Sequence, residues 1–533
     1  VLLLVARRGA ARLGWASVAT VRRYPSPIEA QPIEAQPTEA SPIEAQPAGA
    51  QAVDVHASHE QHRALVDDLT TAIGGDRVRA QPLELALYAR DAGTERGQAA
   101  AVCIADSAND VAAAVRIAAR HGRPFVARGS GTGLAGGATP VGHPVVIVTT
   151  RLNRVLDVDA GARTAWVEPG VLNLDLSRAV AHLGLHYAPD PSSQAACTIG
   201  GNVGTNAGGP HCLASGVTSA HVLALDVVLA DGTEARLGGL APDVPGYDLR
   251  GCFVGSEGTM GIATRIAVRL TPNPPTVRTL LLDFEAIEDA AAAVSGIIAA
   301  GIIPAALEMM DAEITRAVED FVGAGYPRDA AAVLLVELDG LEAGVRADVA
   351  DVSRIGAGHG ARSVRVAANE AERQLLWKGR KSAFGAIARV APDYYLHDAV
   401  VPRTRLVDVL QQVLAVCADQ QVMVMNVFHA GDGNLHPLMA FDAREPGIWE
   451  RVKTAGDEIL RACVAAGGVL SGEHGIGLEK RDAMRLVFTA DDLDAQARLR
   501  DAFDPAGLAN PEKVLPAGSR CGELSSVPAG TWI

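Results

Sequence analysis

Three glycine-rich runs lie between residues 127 and 264: ARGSGTGLAGGATP (127–140), CTIGGNVGTNAGGP (197–210) and VGSEGTMGIAT (254–264). Glycine lowers the cost of left-handed backbone and lets N–H groups approach a bound group closely. Each run is flanked by short β-type stretches such as PFVARG, VVIVTT, ALDVVLADG and IATRIAVRL. The first run contains GxGxxG at Gly131, Gly133 and Gly136, with Asp157 some twenty residues on. A dinucleotide fingerprint of that form must open a helix, whose N-terminus takes the pyrophosphate. Here Pro140 and then HPVVIVTT follow, which predicts a strand. No GK[ST] closes the run, so it is no Walker loop either. One such run alone is as well explained by tight turns. Three, interleaved with Ser, Thr and Asn donors, point to a cradle for a phosphate-bearing cofactor.

The 533 residues are enough for two or three cores. The chain is 48% apolar with a formal net charge of −15, a poor match to nucleic acid or an anionic membrane surface. An anionic substrate would need a local cation. Seven cysteines are scattered without any CxxC pair, so no iron–sulfur or zinc-knuckle ligand run is present and buried, inert thiols are expected. No window approaches the ~18 apolar residues of a transmembrane helix.

The first 24 residues contain arginines and no acid. They read as an upstream extension of a bacterial frame, which implies a cytoplasmic protein, or as a presequence, which implies the mitochondrial matrix. A PIEAQ-type repeat follows, with prolines at 27, 32, 37, 42 and 47, so residues 1–55 are expected to be disordered. Residues 56–96 read as a helical segment. Residues 97–273 mix short strands and helices as an α+β domain, and TPNPPTV (271–277) marks a boundary. Residues 274–485 alternate strand and helix as a second, α/β domain, and 486–533 form a helical tail.

A different chemistry sits in that second domain. FHAGDGNLHP places His429 and His436 at the two ends of a Gly-Asp-Gly-Asn turn, and SGEHGIG adds Glu473 and His474. The alternation before and after the turn predicts two strands of a hairpin through Asp432-Gly433. Three of these four residues could bind one first-row divalent ion while the fourth takes a proton. Each histidine alone is better explained as a structural residue. The set is not.

The glycine runs and APDPSS (188–193) resemble the flavin-contacting loops of FAD-binding oxidoreductases related to vanillyl-alcohol oxidase. From about residue 56 the order of motifs is similar to the D-2-hydroxyacid dehydrogenase branch, including the flavin subunit of bacterial glycolate oxidase and D-lactate dehydrogenase. The resemblance implies a two-part PCMH-type FAD-binding domain followed by a substrate (cap) domain and a tail returning to the flavin domain. It implies non-covalent FAD held by Arg128, Gly129, Ser130, Gly131, Thr132, Gly133 and Leu134. Further contacts are implied for Pro189, Asp190, Ser192 and Ser193, for Gly200, Gly201, Asn202, Thr205 and Asn206, and for Glu257, Thr259, Gly261, Ile262 and Asn510. His211 is close enough in sequence to keep a covalent link open. It makes His429, His436 and Glu473 ligands of a divalent metal, zinc or manganese, and His474 the base. Arg380 in LWKGRKSAF is implied as the fork for a substrate carboxylate, whereas Lys378 and Lys381 read as a solvated helix face. Tyr394 and Tyr395 either line the pocket or pack in the core.

Departures from the hydroxyglutarate branch narrow the substrate. Phe384, Leu396 and Leu438 stand where that branch carries Thr, Lys and Asn. A second carboxylate would be left unpaired, which is costly, so a short 2-hydroxy acid, glycolate or D-lactate, is expected. In the tail, Glu512 replaces the family's usual glycine. The resemblance also implies partners, a second flavin-domain subunit and an iron–sulfur subunit, through which the protein would sit peripherally at the inner membrane. The alternatives are a stand-alone D-lactate dehydrogenase, a non-catalytic electron relay, or a metal hydrolase whose loops bind a nucleotide.

Overall fold

A computed structural model describes residues 55–241 and 245–516. The expected disordered extension, the repeat, Cys521 and the end of the tail lie outside the described residues. The expected helical segment forms as Val55–Ile73, while LELALYARD yields only the short helix Pro82–Ala86. Leu83 and Leu87 there are exposed, so no core rewards a longer helix.

The glycine-rich part is built on two sheets. The first has strands Val78–Arg79, Ala101–Ile104, Val145–Val148 and Phe125–Arg128 in that order, the last three parallel. Helix Ala108–Arg120, capped by Ser107 Oγ accepting from the Asp110 N–H, buries Val111, Val115 and Ile117 against this sheet. The run after Phe125–Arg128 opens no helix and leads to Val145–Val148, as Pro140 requires. The second sheet is antiparallel, in the order Val155–Asp159, Thr164–Val167, Ile262–Arg269, Val222–Val228, Glu234–Gly238.

Residues 276–441 contribute eight strands to one antiparallel sheet. Its order is Ala361–Val366, Thr276–Phe284, Ala332–Gly340, Ala306–Asp311, Met423–His429, Asn434–Phe441 and Asp393–Leu396, with Ala399–Val400 also pairing onto Asn434–Phe441. The strand–helix alternation in sequence did not reveal that the strands run antiparallel. Period-two alternation divides the sheet cleanly. Leu307, Met309, Phe428, Leu435 and Met439 face one core, with helices Ile287–Ala299, Leu406–Asp419 and Ile448–Ala465. Met310, Met425, Val427, Leu396 and Leu438 face the other, with Ala312–Val322 and Glu370–Lys381. Glu308, His429 and His436 share this second face by register.

The chain ends its described course with helix Ala490–Phe503 and an irregular segment. That segment adds to the first sheet: Phe125 N–H donates to Leu508 O (2.9 Å) and Asn510 N–H to Phe125 O (2.8 Å). Among the described cysteines, Cys103, Cys197, Cys417 and Cys463 are buried, and none is disulfide-bonded. No helix among the described residues is long and apolar enough to cross a membrane.

Candidate active site

A cavity of about 410 Å³ lies where the glycine runs meet the SGEHGIG loop. Its wall includes Arg128 to Leu134, Ser192, Ser193, Gly200, Gly201, Asn202, Thr205, Glu257, Gly261 and Ile262, all expected from sequence. Gly204 and Gly258, within the expected loops, also line it, as do Asp91, Pro169 and Ser256, which were not foreseen. The loop 255–261 carries positive φ at Gly255, Glu257, Gly258 and Gly261. Such a backbone turns N–H groups toward one side and tolerates few side chains. The second run differs from a plain loop. Ile199–Thr205 is a short helix, capped by Thr198 Oγ1 accepting from the Gly201 N–H.

Five expected cofactor residues do not reach the cavity wall but hold the loops that form it. Asn510 Nδ2 donates to Gly137 O (2.8 Å) and Glu257 O (2.6 Å). Pro189 O accepts from Asn173 Nδ2 (2.8 Å), and Asn206 Oδ1 accepts from the Ser219 N–H (2.8 Å). Thr259 Oγ1 donates to Ser256 O (2.7 Å), and Asp190 accepts from His211 Nδ1 (2.8 Å).

Glu473 and His474 enter the same cavity from the other side, with Lys381, Phe384 and Tyr394. The predicted hairpin is present, pairing His429 with Asn434 and Val427 with His436. His429 Nδ1 donates to both oxygens of Glu308 (2.8 and 3.0 Å), and His436 Nδ1 donates to His397 O (3.3 Å). Each ring thereby turns its Nε2 toward Glu473 Oε1, at 3.4 and 3.2 Å. The ligand atoms of His429, His436 and Glu473 lie within 4.8 Å of one another. His436 Nε2 and Glu473 Oε2 are buried with no hydrogen-bond partner. Two imidazoles with fixed tautomers and a carboxylate are the donor set a first-row divalent ion uses. Burial opposes ionisation of Glu473, but His429 and His436 outweigh it and hold the carboxyl low. Burial likewise opposes charge on His429, yet Glu308 and Glu473 draw its pKa well above that of free imidazole. The site thus attracts positive charge, which a metal ion would satisfy in place of the proton.

Asp398, Glu308 and Lys480 lie buried behind this wall and were missed from sequence. Asp398 Oδ2 accepts from Ser471 Oγ (2.6 Å) and from the N–H groups of Gly472, Glu473 and His474 (3.1, 3.2 and 2.9 Å). Lys480 Nζ stands 3.6 Å away, almost fully buried. This nest fixes the Glu473-His474 step, leaving His474 Nδ1 4.0 Å from Asp398 and Nε2 3.7 Å from Glu473. A second ligand-like group, Asp398, His436 and His474, is also present. There Asp398 Oδ2 accepts from Ser471 and the loop N–H groups and His436 Nδ1 donates to His397 O, while Asp398 Oδ1 is buried without a hydrogen-bond partner. Burial drives His474 down to about 4, with Asp398 opposing, so the ring is neutral at physiological pH. One signal was there: His397-Asp398 is a polar pair inside an apolar strand-like run.

Arg380 stands behind this wall. Its side chain is 1% exposed and ion-paired with Glu308, and it does not line the cavity. Arg380 Nε is buried without a hydrogen-bond partner, while Lys381, read from sequence as solvated, lies on the wall. Leu396 and Leu438 are cross-strand partners in the apolar core beneath the site. Of the two tyrosines, Tyr394 lines the cavity and Tyr395 donates to Glu479 (2.9 Å).

Comparison with known proteins agrees with this division. Residues 99–238 match the model of an FAD binding domain, and 273–514 that of the C-terminal domain of FAD linked oxidases. The chain is 50% identical over 404 residues to glycolate oxidase subunit GlcD of Escherichia coli, covering 76% of this chain and 81% of that protein. It is 42% identical to GlcD of Bacillus subtilis (79% and 90% covered) and 33% identical to a D-lactate dehydrogenase of Anaerostipes hadrus (77% and 88%). The fold is shared with 4-ethylphenol oxidase from Gulosibacter chungangensis (TM-score 0.73, 20% identity, 86% and 98% covered). It is shared equally with p-cresol methylhydroxylase (TM-score 0.73, 16% identity, 85% and 97% covered). A glycine-lined cavity facing a histidine–carboxylate cluster, on this sequence and this fold, makes the chain a member of the FAD-linked oxidase family that includes the GlcD subunits and D-lactate dehydrogenases.

Proposed function

We propose that the protein oxidises a short D-2-hydroxy acid, glycolate or D-lactate, to its 2-oxo acid. The observation that carries this is the meeting of Glu473 and His474 with the glycine loops in one cavity. Loops of backbone N–H groups and small side chains suit FAD, which when bound accepts the hydride from the substrate's Cα. His429, His436 and Glu473 would hold zinc or manganese, which when bound acidifies and orients the substrate hydroxyl. The chain's own residues do the rest. His474 Nε2 takes the hydroxyl proton, and neutrality at physiological pH suits it to that task. Glu308 fixes the tautomer of His429, and Arg380 neutralises Glu308 behind it. Asp398 and Lys480 hold the base in place.

Phe384 on the wall, with Leu396 and Leu438 beneath, favours a small acid with one carboxylate. Anaerobic flavin bleaching with glycolate, D-lactate, L-lactate and D-2-hydroxyglutarate tests the reading. Glycolate or D-lactate should bleach the flavin fastest. Equal or faster bleaching by D-2-hydroxyglutarate would overturn the short-acid assignment, and no bleaching by any of them would overturn the oxidase reading.

The word subunit in the names of the GlcD relatives favours assembly into a complex. A second flavin-domain subunit and an iron–sulfur subunit would then take the electrons onward. A purified chain that passes electrons from glycolate to a soluble quinone at full rate would favour the stand-alone alternative.

A further inference from the structure

The second glycine run does more than line the cavity. Residues 200–205 lie on the wall, whereas Gly208 and Gly209 do not. A Cβ on Gly209 would lie 2.5 Å from Asp190 O and 2.9 Å from Asp190 Oδ1. The missing side chain therefore lets the run close on the APDPSS stretch, which brings His211 against Asp190.

His211 stands between two carboxylates. Its Nδ1 donates to Asp190 Oδ2 (2.8 Å), its backbone N–H to Asp190 Oδ1 (3.3 Å) and its Nε2 to Glu337 Oε1 (3.3 Å). An ionised carboxylate accepts and never donates, so both ring nitrogens carry hydrogen and the ring is an imidazolium. Burial opposes that charge, but Asp190 and Glu337 overcome it and raise the pKa to about 10. Trp377 stacks on the ring with centroids 5.5 Å apart, and Lys381 Nζ lies 3.6 Å from Asp190 Oδ2. His211 does not line the cavity, and with both nitrogens engaged neither is offered to a flavin.

The two acids belong to different parts of the molecule. Asp190 directly precedes Pro191, Ser192 and Ser193, which lie on the cofactor wall. Glu337 sits in strand Ala332–Gly340 and gathers Thr279 Oγ1 (2.7 Å), Arg373 Nη1 (3.0 Å) and the Trp377 indole N–H around it. The short helix Cys212–Ser215 that follows His211 sends Leu213 into the core under the eight-stranded sheet. There a Cβ on Gly431, in the turn between His429 and His436, would lie 2.4 Å from Leu213 Cδ2. The flavin part thus docks on the sheet through one charge and one apolar side chain, two residues apart.

We propose that His211 is a positioning residue, an ionic link that fixes residues 191–193 of the cofactor wall against the eight-stranded sheet. The link depends on flavin binding alone and not on which acid is oxidised.

The test follows flavin release from the holoenzyme on dilution, read as the rise in flavin fluorescence, in His211→Gln, His211→Arg, Asp190→Asn and the double variant His211→Gln/Asp190→Asn. Losing the charge that joins the two acids should speed release roughly tenfold and change the fine structure of the oxidised flavin band. Metal content should stay at the wild-type level, because Leu213 still docks the segment. Asp190→Asn should match His211→Gln, and the double variant should be no worse than either, since both remove one interaction. His211→Arg, a charged fork suited to two carboxylates, should recover most of the loss. Unchanged release in both single variants, additive losses in the double variant, or equal loss of flavin and metal would overturn the proposal. So would a folded His211→Arg protein that releases flavin as fast as His211→Gln. Flavin that stays on the acid-precipitated wild type but not on His211→Gln would give His211 a covalent role and overturn it too.

Discussion

The two walls of the cavity are made of different material. The wall from the runs near 127–138, 200–205 and 255–262 is largely backbone, shaped by glycine and positive φ. The facing wall, Glu473 and His474 with His429 and His436 behind them, is positioned by side chains: Glu308 on His429, Asp398 on the loop N–H groups up to His474, Lys480 on Asp398. A backbone wall binds many atoms of a large cofactor with little dependence on any one side chain. A side-chain wall concentrates its effect in single atoms. Substitutions on the second wall should therefore change chemistry steeply, and those on the first should change cofactor retention gradually.

The largest effect is expected at the base. His474→Ala should slow flavin reduction by glycolate about 10²–10⁴-fold, the usual contribution of a positioned base. Flavin and metal contents should stay at wild-type levels. Stopped-flow reduction beside absorbance and metal analysis measures all three. Wild-type reduction rates would remove His474 from the reaction.

Next comes Glu308→Gln. A partner of a metal-ligating histidine typically contributes 10–100-fold in metal affinity. The variant should lose metal by about that factor and lose reduction rate with it, while keeping its flavin. His429→Ala should lose metal and activity outright. Full activity in metal-free His429→Ala protein would show that the cluster works without an ion, and the contrast between the walls would need another basis.

On the backbone wall, Gly131 has φ +73. A β-branched residue there meets a conformational cost of roughly 1–2 kcal/mol. Gly131→Val should thus weaken flavin retention about tenfold and leave metal content unchanged, the reverse of Glu308→Gln. Flavin-to-protein ratio after dialysis reads the first and metal analysis the second. Parallel loss of both would mean that the walls are not independent.

These contrasts also explain what the sequence could reveal. Hairpin, histidines and Glu473-His474 were legible because they obey local rules: period-two alternation, a Gly-Asp-Gly turn, a Glu-His step between glycines. The glycine loops were legible because their residue types have few other uses. Glu308 and Lys381 were not. Glu308 meets His429 across 121 residues of chain, and nothing local in ALEMMD says which strand will lie beside it. Lys381 and Arg380 are adjacent on one helix, and sequence alone could not say which one turns inward. His211 was noticed only as a candidate flavin link, since both acids that charge it lie far off in sequence. The antiparallel order of the eight-stranded sheet was hidden for the same reason, because strand direction is a property of pairing rather than of composition.

The smallest expected effect belongs to the residue that joins the two walls. Glu257 Oε1 accepts from the N–H groups of Ile476 (2.7 Å) and Gly477 (3.0 Å), and Gly475 approaches so closely that a Cβ there would lie 2.7 Å from the same oxygen. Burial raises the Glu257 carboxyl to about 7, despite those two donors and Lys513. A raised carboxyl favours the folded state while protonated. That advantage is complete below the ordinary carboxyl range and is lost as pH climbs from about 4.5 through about 7. Glu257→Gln keeps an acceptor for both N–H groups and removes the buried charge, at the expense of two charge-assisted hydrogen bonds. The opposing effects should leave a net gain of about 1 kcal/mol, developing as pH rises toward about 7 and fully present above it as a melting point a few degrees higher than wild type. At pH 5 the two proteins should melt together. A variant that is less stable than wild type at pH 8 would show that the ionised carboxylate is itself the tie between the flavin loops and the histidine wall.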